Sequence, residues 1–410
     1  MFRGISGSLS EENIYNDCIQ HWNRMADQSK RLAERSEQAR SNPLADQLKE
    51  VPVIDMDVHT SFRNEEIQRD LLKHLDDPYK REIEYYLQPG TSSYDGMYPT
   101  DNYNRDLSGK LPTELMQVTE PKEDIDDILS KEFHVDYPIV NMLPELNMVR
   151  QTDKAVAINE AANKVLVERF LDGHDNIYGL ASVVPHDPSA AAEEIDRFAK
   201  EDQICGVFLN STGTKTPLGD EKYDPIYRAA EDNDLPVVFH GAAAPGLALD
   251  FPTLQHELQT YMANHALAHV YSQFLTLTSL FENGTPAKFP DVDFVFQEAG
   301  IAWLSLIFRL NREYKQRRSE VPLLEKTPEE YVRDQFYFAT QPLDEPNDPV
   351  MMKQLVEMWG GDVLMFATDH PHFDIDNTEA LLKYLGNFSE EDRNKVLYGN
   401  SAEVFDIDVS

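Results

Sequence analysis

Eight short apolar runs separated by helical patterns constrain this chain more than any other feature. They fall at residues 53–59, 137–143, 177–184, 204–209, 236–241, 293–298, 334–340 and 363–369. Short runs that stay apolar on both faces read as strands covered from both sides, the habit of parallel sheets. Between them, residues 153–171, 188–201, 224–233, 300–317 and 348–360 carry apolar positions at helical spacing. Eight such units predict an α/β fold of the (β/α)8 TIM-barrel kind, in which functional groups gather at the C-terminal strand ends. A doubly wound open sheet is the competing architecture, but no Gly-x-Gly-x-x-Gly follows any run.

The barrel is expected over residues 49–410, behind an N-terminal helical extension at 1–48. In that extension Ser8 and Glu11 form a capping-box pattern, and Tyr15, Cys18, Ile19, Trp22, Met25 and Ala26 recur at helical spacing. The stripe needs a covering surface, either the chain's own barrel or a second copy in a homodimer. A long loop is expected after the first strand, from about 60 to 121, where Pro89-Gly90, Asp95-Gly96 and Pro99 punctuate the chain. Its Tyr94, Tyr98, Tyr103 and Arg105 suit a pocket cover or substrate contact.

Charge narrows the partners. The chain has 73 acidic and 37 basic residues and a net charge of -36, which argues against nucleic acid and against an anionic membrane surface. The acid is spread along all 410 residues, a distribution that suits a halophilic protein whose self-repulsion is screened by salt. Cys18 and Cys205 are far apart, with Cys205 inside an apolar run, so no disulfide framework is implied. With no charged-then-apolar leader and no membrane-length apolar run, a cytoplasmic location is expected.

Polar residues stand at several strand ends. Asp57 and His59 close the first run two positions apart, so both side chains point one way. His240 ends the fifth run, Glu298 the sixth and Asp369 the eighth. Singly, each has a structural explanation as a cap or a satisfied strand-end group. Brought to one barrel mouth, two imidazoles and two or three carboxylates suit one divalent ion, Zn or Mn, with Fe open.

The segments Asp57-Val58-His59, Leu235 to Gly241, Phe289 to Trp303 and Ala367-Thr368-Asp369-His370-Pro371-His372 resemble the amidohydrolase superfamily. The resemblance is to the amidohydrolase-related branch that includes aminocarboxymuconate-semialdehyde decarboxylase and the hydroxybenzoate decarboxylases, and it runs from about Val51 to Val409. It implies Asp57, His59, His240 and Asp369 as metal ligands, with Asp369 also transferring a proton. Glu298 stands where many relatives have histidine, leaving it a ligand, a proton acceptor or an orienter of water. Leu209-Asn210-Ser211 replaces the bridging lysine or glutamate of binuclear members, which implies a single metal. Asn210 is a candidate substrate contact or a turn residue. His265 is a catalytic candidate approaching the pocket, whereas His269, four residues on, is expected to pack on a helix face. His370 and His372 are expected to support the site or touch substrate, and Gln341 and Pro342 to line it.

Three functions use these parts. The first is a carboxy-lyase, a non-oxidative decarboxylase of a small hydroxylated or enolisable carboxylate, aromatic or not. The second is a metal-dependent hydrolase of an ester, amide or lactone. The third is a metal-bearing binding protein without turnover.

Overall fold

The computed structural model describes residues 51–60, 65–86, 129–130, 133–142, 149–241, 261–343, 354, 358–359, 361–370, 376 and 389–409. The extension at 1–48, Tyr94, Tyr98, Tyr103, Arg105, His372 and most of the helix expected at 348–360 lie outside them. Eight strands appear, β1 (Ile54–His59), β2 (Tyr137–Asn141), β3 (Tyr178–Ser182), β4 (Ile204–Asn210), β5 (Val237–His240), β6 (Phe294–Phe296), β7 (Phe336–Ala339) and β8 (Leu364–Met365). They pair in parallel and in chain order. The sheet then closes on itself: Met56 N–H donates to Phe366 O at 3.1 Å, Asp369 N–H to Asp57 O at 3.1 Å, and His59 N–H to His370 O at 2.7 Å. This is the expected TIM barrel.

Around it lie α1 (Glu65–Lys73), α2 (Tyr79–Tyr86), α3 (Thr152–Val165), α4 (Pro188–Phe198), α5 (Asp224–Asp232), α6 (Tyr261–Glu282), α7 (Trp303–Arg317) and α8 (Pro328–Gln335). Local signals fix several starts. Asp187 caps α4 by accepting from Ala190 N–H, with Pro188 in the first turn. Thr327 and Glu330 form a reciprocal capping box on α8. That box corrects the seventh run, because residues 334–335 finish α8 and the strand starts only at Phe336. The stretch expected to be irregular after β1 begins with α1 and α2. Ile67, Leu71 and Leu75 are buried at four-residue spacing, a helical stripe that the turn residues further on obscured.

The strands divide two apolar groups. Ile54, Met56, Ile139, Leu180, Phe208, Val238, Val295, Met365 and Ala367 pack inside the barrel, and Val404, Phe405 and Ile407 close its base. Val58, Val140, Val207, Leu209, Phe239, Phe296 and Phe338 face the helices. In β1 the inward positions are Ile54 and Met56, yet Val58 faces outward, because the pairing with β2 shifts by one residue between Asp55 and Val58. That bulge reverses the alternation. Without it, Asp57 and His59 would face the helices. Close packing also constrains the rim: a Cβ at Gly219 would lie 2.0 Å from Ser279 O on α6, so only glycine fits there.

Candidate metal centre

Above the inward apolar layer the barrel turns polar. Asp57, His59, His240, Glu298 and Asp369 are all buried, none more than 4% exposed. His240 arrives by plain alternation, following outward Phe239. Glu298 and Asp369 lie past the ends of β6 and β8, with φ of 47° and 62°. A non-glycine residue in that left-handed region costs on the order of 1 kcal/mol, and such strain tends to collect at functional sites. The two turns bring these carboxylates to His240 and to His59.

His59 Nε2 lies 3.2 Å from Asp57 Oδ1 and 2.8 Å from Asp369 Oδ1. His240 Nε2 lies 3.9 Å from Asp57 Oδ2 and 3.5 Å from Glu298 Oε2. The His59 and His240 rings meet edge to face at 5.0 Å. His269 Nδ1 closely contacts Glu298 Oε2, and its ring stands perpendicular to that of His240 at 6.0 Å. Burial pushes the Asp57 carboxyl well above the usual range, and Asp369, Glu298 and Asp55 push it further, opposed by the Asn141 amide.

Neighbouring groups hold the cluster in place. Asn141 Nδ2 donates to Asp57 Oδ1 at 3.1 Å, and Asn141 Oδ1 lies 2.8 Å from His59 Nδ1. Gln341 Nε2 donates to Asp369 Oδ2 at 3.1 Å. Asp55 accepts from Asp57 N–H at 3.1 Å, Thr368 N–H at 3.0 Å and Thr368 Oγ1 at 2.5 Å, tying β1 to the segment that carries Asp369. Gln273 on α6 donates to Gln297 O at 2.6 Å, bracing the helix against the residue before Glu298.

The donor set fits a cation. Asp57, His59 and His240 offer ligand atoms within 4.8 Å of one another, as do His240, His269 and Glu298. Asp57 Oδ2 is buried and accepts no hydrogen bond among the described residues. Two imidazoles with several carboxylates suit a borderline divalent ion.

One expectation is corrected. His269, expected to pack, reaches the cluster through Glu298; of His265 only the backbone, on α6, is described. The signal was the buried polar stripe Ser272, Gln273, Thr276 and Ser279 continuing from His269 along α6. Asn210 ends β4 with Oδ1 accepting Thr212 N–H at 2.8 Å, a turn geometry that occupies its carbonyl. His370 is buried; its carbonyl helps close the barrel and its ring meets Phe133 at 6.5 Å. Gln341 is found at the site, and Asn141 and Asp55 join it unforeseen.

Known proteins share this architecture. The chain is 24% identical over 301 residues to the gamma-resorcylate decarboxylase of Rhodococcus jostii, covering 70% of this chain and 88% of that protein. The 5-carboxyvanillate decarboxylase of Novosphingobium aromaticivorans, crystallised with bound manganese and a nitrobenzoic acid, superposes with a TM-score of 0.64 at 20% identity. That match covers 87% of this chain and 97% of the other. An amidohydrolase of Mycobacterium avium subsp. paratuberculosis gives a TM-score of 0.66 at 18% identity, over 87% of this chain and 99% of its own. At these identities the two structural likenesses are likenesses of fold. The family model described as Amidohydrolase matches residues 119–407, well over half the chain, and the chain therefore belongs to the amidohydrolase family.

Proposed function

We propose that this protein is a metal-dependent, non-oxidative decarboxylase of a hydroxylated aromatic carboxylate. The observation that carries it is the convergence of Asp57, His59, His240 and Asp369 at the barrel mouth, in a chain whose relatives include a named decarboxylase. These four residues would hold one divalent ion, and manganese, present in the carboxyvanillate enzyme, is the first to try. When bound, the ion would anchor the substrate's carboxylate and adjacent oxygen and draw off negative charge.

The side chains then divide the remaining work. Asp369 keeps Oδ1 toward His59 and has Oδ2 held by Gln341, a position suited to protonating the ring carbon that bears the carboxylate. The carbon–carbon bond breaks, its electron pair stays with the ring, and carbon dioxide leaves. Glu298, braced by His269 and 3.5 Å from His240 Nε2, suits orienting the substrate hydroxyl. Among the described residues no helix is long and apolar enough to cross a membrane, and Cys205 is a buried free thiol; a cytoplasmic location accords with both.

The test is elemental analysis of the purified protein together with carbon dioxide release from a panel of hydroxybenzoates. Near one equivalent of metal with release from at least one hydroxybenzoate, abolished in Asp369→Asn, is expected. Full metal occupancy with no release, but turnover of an ester, amide or lactone, would replace this reading with a hydrolase.

A further inference from the structure

We propose that Asn141 selects the tautomer of His59, fixing the proton on Nδ1 so that Nε2 presents its lone pair to the cation. The proposal rests on the reading of Asp57 and His59 as metal ligands. Asn141 is thus a positioning residue, acting through His59 and Asp57.

The argument begins with the two unlike ends of a primary amide. The NH2 group only donates and the carbonyl only accepts. Asn141 Nδ2 lies 3.1 Å from Asp57 Oδ1 and Asn141 Oδ1 lies 2.8 Å from His59 Nδ1. All three residues are at most 1% exposed. An ionised Asp57, the form that binds a cation, can only accept, so it requires the NH2 end. Turning the amide over would set its carbonyl against that carboxylate in a buried site, an unfavourable arrangement. The carbonyl is thereby committed to the ring, and because it only accepts, Nδ1 must carry the hydrogen. A neutral imidazole has one N–H, so Nε2 is left with its lone pair.

Nε2 is the atom aimed into the cluster, 3.2 Å from Asp57 Oδ1 and 2.8 Å from Asp369 Oδ1. Without the amide, those carboxylate oxygens would favour the opposite tautomer, with hydrogen on Nε2, and a metal would first have to displace it. Strand register makes the arrangement specific. His59 and Asn141 are direct partners across β1 and β2, and Thr60 N–H donates to Asn141 O at 3.1 Å. The amide is held on both sides of its own backbone contact.

Two measurements on the full chain test this. In protein labelled with 15N-histidine, long-range proton–nitrogen correlation, assigned by loss of the signal in His59→Gln, reads the tautomer in the metal-free and zinc-loaded forms. In the metal-free form the reading is taken at a pH high enough to ionise Asp57; Nδ1–H is expected there and in the zinc-loaded form, and Nε2–H in either overturns the proposal. Zinc affinity is then measured by chelator competition. Asn141→Leu, similar in size, is expected to lose about 10–100-fold. Asn141→Asp, which still accepts from Nδ1–H but sets a carboxylate against Asp57 Oδ1, is expected to lose less than Asn141→Leu, the zinc offsetting the added charge. A role in packing alone would move both variants alike. Parent affinity in Asn141→Leu, or a loss in Asn141→Asp as large as that in Asn141→Leu, overturns the assignment. If Asn141→Leu fails to fold by circular dichroism, the tautomer decides. A parent that binds no metal sinks the proposed function, while the metal-free tautomer still decides the role of Asn141.

Discussion

At the base of the barrel, Asp293 precedes β6 and faces Glu403 of the C-terminal segment; at the mouth, Asp57 ends a strand among Asp369, Glu298 and Asp55. Burial pushes Asp293 to about 6, with Glu403 adding repulsion. The same two causes act on Asp57, but there burial is complete and three further carboxylates contribute. The base resolves its strain simply. Asp293 is only half-buried, and one proton or a little water relieves it. At the mouth, no single proton neutralises the set, and imidazoles are interleaved with the acids. Concentrating charge in this way stabilises nothing by itself, and it becomes favourable once a cation arrives. The difference separates a structural acid from the one proposed as a metal ligand.

The largest expected effect breaks the mouth and spares the base. Chelation should abolish decarboxylation, and added manganese should restore it. In His240→Ala restoration should fail, with metal affinity, read by chelator competition, lower by at least about 100-fold, since a ligand counts for more than its supporting partner. Metal affinity in His240→Ala equal to the parent would remove His240 from the site and with it the mouth's distinction.

The converse breaks the base and spares the mouth. Phe405 is 2% exposed and packs with Ile54, Met56 and Phe208 inside the barrel. Phe405→Ala should cost about 3–5 kcal/mol in denaturant unfolding. Metal affinity of the folded fraction should match the parent. A parallel loss of affinity would show that the two ends are mechanically one unit.

Much of this arrangement is legible in the sequence, and the gaps have physical causes. Strand-end polarity identifies Asp57, His59, His240, Glu298 and Asp369, all of which converge. Yet strict alternation from Ile54 and Met56 would turn Asp57 outward; the bulge that corrects it depends on pairing with β2. Glu298 and Asp369 lie past the strands they were assigned to, in left-handed turns that apolar periodicity does not encode. His269 reads as a packing residue because Leu267, Val270 and Phe274 surround it in sequence, whereas its ring meets Glu298, a partner from another strand end that helical spacing does not reveal. Asn141 ends β2 as His240 ends β5, but a strand-end amide carries no charge to distinguish it from a turn residue, and its role follows only from its pairing with His59 across the strands.

A smaller effect sharpens the comparison through pH. Folding raises Asp55 to about 7 from its ordinary 3.8 and raises Asp57 well above 3.8. A raised carboxyl holds its proton more firmly in the folded state, so its contribution is fully present below about pH 4 and is lost as pH rises through the folded value. The metal-free protein should therefore lose stability between about pH 4 and 7. Metal should flatten that slope, as should Asp57→Asn without metal. Urea unfolding across this range checks it, and a metal-free protein whose stability climbs with pH would contradict the reversed sign.

The smallest effect belongs to Asp293. At about 6 against an ordinary 3.8, its ionised form is disfavoured by folding, and the penalty is complete above pH 6. Allowing for its partial exposure, Asp293→Asn should stabilise the protein by about 1–2 kcal/mol at pH 7. The gain should vanish near pH 4, where the parent carboxyl is also protonated. Metal affinity and turnover should not move. Asp57→Asn makes the contrast: it shares the direction of the stability gain in metal-free protein but forfeits the cation. If Asp293→Asn also weakened metal binding, charge at the base would be felt at the mouth through the apolar layer between them, and burial alone would no longer distinguish the two acids.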